Sequence, residues 1–275
     1  MIALTSGLVA VLFYALGTFS QGRLLSRDQH EPTAGLLTPD RSKLLLVAAI
    51  ALIVHLVNVV QVIATERGLD FGFFKVATLF SWTMVCIVVL SSLRKPLENL
   101  FVAVFPVAIV SILCALFLPS GTQPVADLSP GVLVHVMLGI VGFSLMTIAA
   151  GQALFMAWLD RALKRHRYPP FLRHLPPLQT MEGLLFEIIQ VGFLILLAVI
   201  VSGFLFMDDM FAQHLVHKTF FTLVSVVVFG ILLWGRHRWG WRGRRAKHWT
   251  LTGFTVLILA YFGSKFVLEV LLNRV

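Results

Sequence analysis

Four of the nine histidines stand in or beside long apolar stretches: His55, His135, His214 and His217. A neutral imidazole keeps one ring-nitrogen lone pair for a metal while its other nitrogen carries a proton. It is a good ligand for haem iron, and two imidazoles on facing helices can hold a haem from both sides. His55 lies twelve residues beyond Lys43, about 18 Å along a helix, and His135 follows Pro130 by five residues. His214 and His217 are three apart and share a face if that segment is helical. Arg67, Lys75, Lys218 and Lys265 are expected on the same side, where a cation would meet a propionate. The plainer reading stands beside this one: a histidine near the end of a membrane helix often just bonds a carbonyl or a headgroup. There is no His-x₃-His pair or added carboxylate to suggest zinc.

The elements that must position these side chains are apolar and uniform in length. Eight stretches of about 20 residues, the length that crosses ~30 Å of hydrocarbon, run over approximately 2–21, 44–63, 71–92, 98–118, 131–158, 184–206, 217–235 and 249–272. Hydrophobic residues make up 58% and charged residues 13% of the chain, whereas a soluble protein carries about 25% charged residues. The chain therefore reads as an all-α polytopic membrane protein with eight transmembrane helices in one membrane domain, residues 1–275.

Of the 22 Lys and Arg residues, all but Arg67, Lys75, Lys218, Lys265 and Arg274 fall in the first, third, fifth and seventh connections. Cationic loops stay in the cytoplasm, which predicts that both termini are external. Residues 1–21 lack a basic segment ahead of the apolar run, so they read as an uncleaved first helix. The net charge of +9 is then a matter of topology and of anionic headgroups, and implies no nucleic acid. The proline-rich connection 159–183 reads as a stiff, extended strap, since Pro169, Pro170, Pro176 and Pro177 resist continuous helix. Trp234, Trp239, Trp241 and Trp249 form an interfacial belt around the last basic loop. Gly139, Gly142 and Gly151 allow close helix packing.

Several functions are excluded. There is no Gly-rich phosphate loop, no nucleophile elbow and no pair of facing carboxylates for hydrolysis or phosphoryl transfer. Cys86 and Cys114 form no CxxC motif. Glu187 and Glu269 lie toward helix ends rather than midpoints, which weighs against a cation-coupled transporter.

Three segments carry a family resemblance. LPPLQTMEGLLFEIIQVGFLILLAVIVSG (175–203), GWRGRRAKHWTLTGF (240–254) followed by YFGSKFVL (261–268), and LVHVMLGIVGFSLMTIAAGQALF (133–155) resemble the cytochrome c assembly family of CcsA- and CcmC-type haem-handling proteins. The chain is most similar to its compact eight-helix branch, the YpjD-type or HemX-like inner-membrane proteins. The resemblance implies a multi-pass protein of a bacterial inner membrane and makes His135 an external axial ligand of haem b. It implies apocytochrome or other cytochrome c assembly proteins as partners, beside the lipid bilayer itself.

The chain also departs from the family. The stretch MDDMFAQHLVHKTFF (207–221) keeps Lys218 and Thr219 but has no tryptophan, where haem-delivering members have a tryptophan-rich run. Trp234 stands near the place of a family histidine, and the second external histidine is missing. The second axial ligand is therefore inferred as His217, with His214 or His55 as substitutes, and Lys218 and Lys265 would steady the propionates. Three readings follow: a haem-binding carrier or assembly factor without enzymatic chemistry of its own, a membrane regulator that keeps the fold without haem delivery, and a transporter of cations or a small solute.

Overall fold

The computed structural model describes residues 1–26, 39–94, 97, 100–118, 124–126, 128–165, 177–207 and 216–263, with the side chains of 23–26, 39–40, 217 and 262–263 outside that set. Eight α-helices follow in order among these residues: α1 (Ile2–Ser26), α2 (Pro39–Ile63), α3 (Phe73–Ser92), α4 (Phe101–Phe117), α5 (Pro130–Lys164), α6 (Leu178–Phe206), α7 (Val216–Trp239) and α8 (Arg244–Ile258). A π-helical turn, Leu259–Gly263, continues α8. Six of them, α1, α2, α3, α5, α6 and α7, are long and apolar enough to cross a membrane, and α4 is a shorter apolar helix. The last stretch is expected to reach residue 272, and its part from 264 onward lies outside the described residues.

The helices outrun the apolar stretches at their ends. α5 continues to Lys164 and α6 begins at Leu178, so both flanks of the expected 159–183 strap are helical. Hydropathy registers only the part of a helix that matches hydrocarbon, whereas i→i−4 hydrogen bonds continue through the interface whatever the side chains are. Arg161 and Lys164 in the last turn of α5 also complement its macrodipole. Pro177 sits outside α6 as its N-cap, where a missing N–H costs nothing. Residues 166–176, including Pro169, Pro170 and Pro176, lie outside the described residues.

The chain forms two compact units: Met1–Ala126 with Tyr168–Leu175, and Asp127–Arg167 with Pro176–Val275. In the first unit, α1 packs on α2 and α4, and α3 on α2 and α4. Its interior pairs small residues (Ala10, Ala48, Ala51, Ala108) with the rings of Tyr14, Phe101 and Phe105. Phe101 and Phe105 stack at 4.7 Å. A short hairpin, β1 (Ala64–Thr65) and β2 (Gly68–Leu69), follows α2, and Leu69 bridges to Val125. Asp70 ends this turn: it accepts from the Gly72 amide at 2.9 Å and from Lys75 at 2.5 Å.

In the second unit, α5 packs on α6 and α8, and α7 on α6 and α8. Ser129 caps α5 by accepting from the Val132 amide, with Pro130 in the first turn. At the opposite end of α5, Glu182 of α6 ties down the α7–α8 turn. It accepts from Arg236 Nη1 and from the Gly243 amide, both at 3.0 Å. Asp160 of α5 pairs with Lys247 of α8. Burial lowers the Lys247 pKa from the ordinary lysine value, a cost that this carboxylate offsets.

Both units are apolar outside and partly polar inside. Leu12 and Leu16 of α1 and Ile53 of α2 are exposed, as are Leu194, Val201 and Leu205 of α6, while His55, Asn58, Ser144 and Ser225 are wholly buried. Water would favour the reverse arrangement. A hydrocarbon surround favours this one, because large apolar groups lose nothing by facing lipid and polar groups must find protein partners.

Close approach of α7 and α8 depends on Gly253, where an added β-carbon would lie 2.9 Å from the buried Phe229 ring; the Gly253 carbonyl also accepts from Ser225 Oγ at 3.0 Å. Gly253→Ala is expected to destabilise the protein by about 1–3 kcal/mol through overpacking. Thermal unfolding in detergent checks this, and an unchanged midpoint would mean that the Phe229 ring moves aside freely.

Candidate functional site

His135 lies in the second turn of α5, a position set by the Ser129–Pro130 start. Its Nδ1 is 3.0 Å from Ser202 Oγ of α6, and Ser202 Oγ donates to the Val199 carbonyl at 3.0 Å. A hydroxyl has one proton, and this one goes to Val199, so Ser202 accepts from Nδ1–H. The network therefore assigns the Nδ1–H tautomer. Nε2 is then the acceptor nitrogen, and the Val199 carbonyl, which also hydrogen-bonds this imidazole, cannot pair with it because a carbonyl only accepts. A half-buried imidazole anchored through one nitrogen keeps a lone pair on the other, and a hydrogen bond to the anchored nitrogen sets tautomer and ring direction.

One turn further along α5, Gly139 brings the Tyr261 ring close. A β-carbon at Gly139 would sit 3.0 Å from the Tyr261 hydroxyl oxygen, and the Phe143 and Tyr261 centroids are 5.2 Å apart. Tyr261 belongs to the π-helical turn, a local widening often found at functional sites. Gly139 thus does what its sequence reading expects, admitting a neighbour close to the helix backbone.

His55 is arranged differently. In the first unit it is fully buried, with Nδ1 3.0 Å from the Tyr14 hydroxyl of α1 and Nε2 3.0 Å from Thr78 Oγ1 of α3. Both ring nitrogens are taken, one donating and one accepting in either tautomer, because a hydroxyl can do either. Tyr14 packs edge-on to the imidazole at 5.6 Å and against Phe105 at 5.1 Å. One turn along α2, Asn58 Nδ2 donates to the Ala3 carbonyl at 2.7 Å, and its Oδ1 has no partner among the described residues. Three helices are thereby pinned together around one imidazole.

The remaining candidates are partly out of view. His214 and Lys265 lie outside the described residues. His217 falls in the first turn of α7 with its side chain outside them, so its expected approach to His135 does too. Lys218 is half-buried, and its carbonyl accepts from Thr222 Oγ1 at 2.7 Å. Lys75, expected to be available to a propionate, is instead bound to Asp70 at 2.5 Å. Among the described residues no three His, Cys, Asp or Glu side chains converge on a metal position.

Sequence reasoning named the histidines and missed their partners, Ser202, Tyr14 and Thr78, as well as Tyr261 packed against Gly139. One signal was available for Ser202. His135 lies near the start of α5 and Ser202 near the end of α6, so antiparallel packing puts them at one level.

A helical protein with lipid-compatible outer faces, six helices of spanning length and buried polar groups paired between helices is a multi-pass membrane protein. The chain belongs to the cytochrome c assembly protein family, whose profile matches residues 44–272. It is 30% identical over 233 residues to the inner membrane protein YpjD of Escherichia coli, covering 84% of this chain and 88% of that one. Protein HemX of Brevibacillus brevis is 23% identical over 203 residues, or 70% and 75% of the two chains. The cytochrome c biogenesis protein CcsA of Guillardia theta is 22% identical over 237 residues, or 76% and 79%. No solved structure matches the chain.

Tyr14→Phe removes one of the two partners of His55 and leaves a buried ring nitrogen unsatisfied, at an expected cost of about 1–3 kcal/mol. The thermal midpoint of the detergent-purified variant should fall. A midpoint equal to wild type would show that the Tyr14–His55 bond does not hold the first unit together.

Proposed function

We propose that this protein binds haem b at the outer face of a bacterial inner membrane and assists cytochrome c assembly there as a carrier or assembly factor, not as an enzyme. The observation that carries the reading is the lone pair kept on Nε2 of His135, with Nδ1 anchored on Ser202. Family membership supplies the context, since the relative from Guillardia theta is named for cytochrome c biogenesis.

In this reading His135 and His217 would hold the haem iron, with His214 as a substitute for the second. His55, the other substitute inferred from the sequence, belongs to the first unit and has both ring nitrogens hydrogen-bonded. Lys218 and Lys265 would meet the propionates. When bound, haem would supply the iron and the porphyrin to be handed on. The protein's own work is to present an imidazole of fixed tautomer and to hold the anionic edge of the ring. Apocytochrome or other assembly proteins are the partners.

The reading also uses eight spans, with α4 and a continued α8 completing the set, and both termini outside. The positive charges at one end support it: Arg161, Lys164 and Arg165 close α5, and Arg236 to Lys247 span the end of α7, the turn and the start of α8. A reporter fused after Val275 should be active only outside the cytoplasm. Activity only inside would overturn the orientation and with it the external haem face.

A second reading, a membrane regulator that keeps the fold without delivering haem, is favoured by the absence of tryptophan from 207–221. Absorbance spectra separate the two. The purified protein, after hemin addition if needed, should show a Soret band that is lost or shifted in His135→Ala and His217→Ala. Ser202→Ala should weaken haem affinity by about 10–100-fold, as loss of a partner behind a metal ligand does. Wild-type protein that takes up no haem would select the regulator.

A further inference from the structure

We propose that the end of the second unit formed by the α5 C-terminus and the α7–α8 turn binds the headgroup of an anionic phospholipid, preferably one carrying two phosphates. The cations at this end are of two kinds. Arg236 and Lys247 point inward and are paired with Glu182 and Asp160. Arg161, Lys164 and Arg165 at the end of α5, Arg238 at the end of α7, and Arg242, Arg244 and Arg245 around the start of α8 are exposed and have no ion-pair partner among the described residues. Glu182 and Asp160 are thus used on the inner cations, and these outer seven are left facing the surroundings.

The same acid contacts hold the outer cations in place. Asp160 and Lys247 join α5 to α8, so the basic residues that flank each of them in sequence lie around one pair. Glu182 accepts from the Gly243 amide and from Arg236, and Arg236 Nη1 also donates to the Trp241 carbonyl at 3.2 Å. Gly240 and Gly243 take the positive φ values, 63° and 58°, that this turn requires. Three cations at the end of α5 and four around the α7–α8 turn, on a braced frame, repel one another unless an anion lies between them.

The surrounding aromatics argue for a lipid. Trp241 stacks on Trp239 at 5.7 Å and packs at a tilt against Trp249 at 5.4 Å. Trp158, two residues before Asp160, is exposed, as are Trp234 and Trp239. Indoles collect at headgroup depth, apolar body toward the tails and N–H toward water. Cations bracketed by such rings meet phosphodiesters, which guanidinium groups bind through paired charge-assisted hydrogen bonds. Two cation clusters, joined by the Asp160–Lys247 pair, match a headgroup with two phosphates better than one with a single phosphate. The inference is independent of haem.

Native mass spectrometry of the full chain in detergent tests it, with phosphatidylcholine, phosphatidylglycerol and cardiolipin supplied in equal amounts. Bound lipid should rank cardiolipin first and phosphatidylcholine last. The combined variant Arg242→Gln, Arg244→Gln and Arg245→Gln should lose cardiolipin affinity by on the order of 100-fold, each cation near a membrane surface contributing about fivefold. Arg161→Gln, Lys164→Gln and Arg165→Gln together should do the same, and decide the matter if the first variant fails to insert. Either variant retaining cardiolipin within about twofold while correctly folded would overturn the proposal. So would equal binding of phosphatidylcholine, displacement of the lipid by millimolar inorganic phosphate, or a protein partner lost from the variants whose lipid binding is unchanged.

Discussion

The constraint behind this structure is that hydrocarbon offers no hydrogen bonds. A polar group inside a membrane helix must be answered by another helix. Those answers are what join the helices here. Tyr14, His55 and Thr78 link α1, α2 and α3. Ser81 and Ser111 link α3 to α4 at 2.5 Å, and Trp82 Nε1 donates to the Leu52 carbonyl at 3.0 Å. In the second unit Ser202 answers His135, and Ser225 answers the Gly253 carbonyl. Each bond is modest in free energy, but an unanswered group would cost more than a made bond contributes. Polar residues therefore specify which helix faces which, while apolar packing supplies area.

His55 and His135 show how one side chain serves opposite ends under that constraint. His55 meets a hydroxyl at each nitrogen and is buried completely, so its capacity is spent on the fold. His135 meets a single hydroxyl, whose own proton is committed to Val199, and stands half-buried near a helix start. Its anchored nitrogen sets the tautomer, which leaves a lone pair on Nε2. The difference comes from the count of neighbouring hydroxyls, not from the histidine itself.

Where the helices leave hydrocarbon, charge takes over the same duty. Glu182 and Asp160 brace the α7–α8 turn against α6 and α5, and Asp70 fastens the hairpin region to α3 through Lys75. These carboxylates were unremarkable in the sequence because each lies just beyond an apolar stretch, where a charge is cheap and carries no signal. Once the chain is folded they organise the basic residues around them.

The sequence by itself determined the class of the protein and the number of its helices. Apolar runs of membrane length and loops of one charge follow from transfer free energies that act residue by residue. It also determined family membership, since the motifs at 133–155, 175–203 and 240–268 are contiguous. Helix ends were less legible: hydropathy marks where lipid stops, not where backbone hydrogen bonding does, so α5 and α6 run on into the expected strap. Only the tertiary structure decided which histidine has a nitrogen to spare. That depends on Tyr14, Thr78 and Ser202, residues 41, 23 and 67 positions distant from the imidazoles they meet. A hydrogen bond has a reach of about 3 Å, and a linear sequence does not state which distant hydroxyls packing will bring within it.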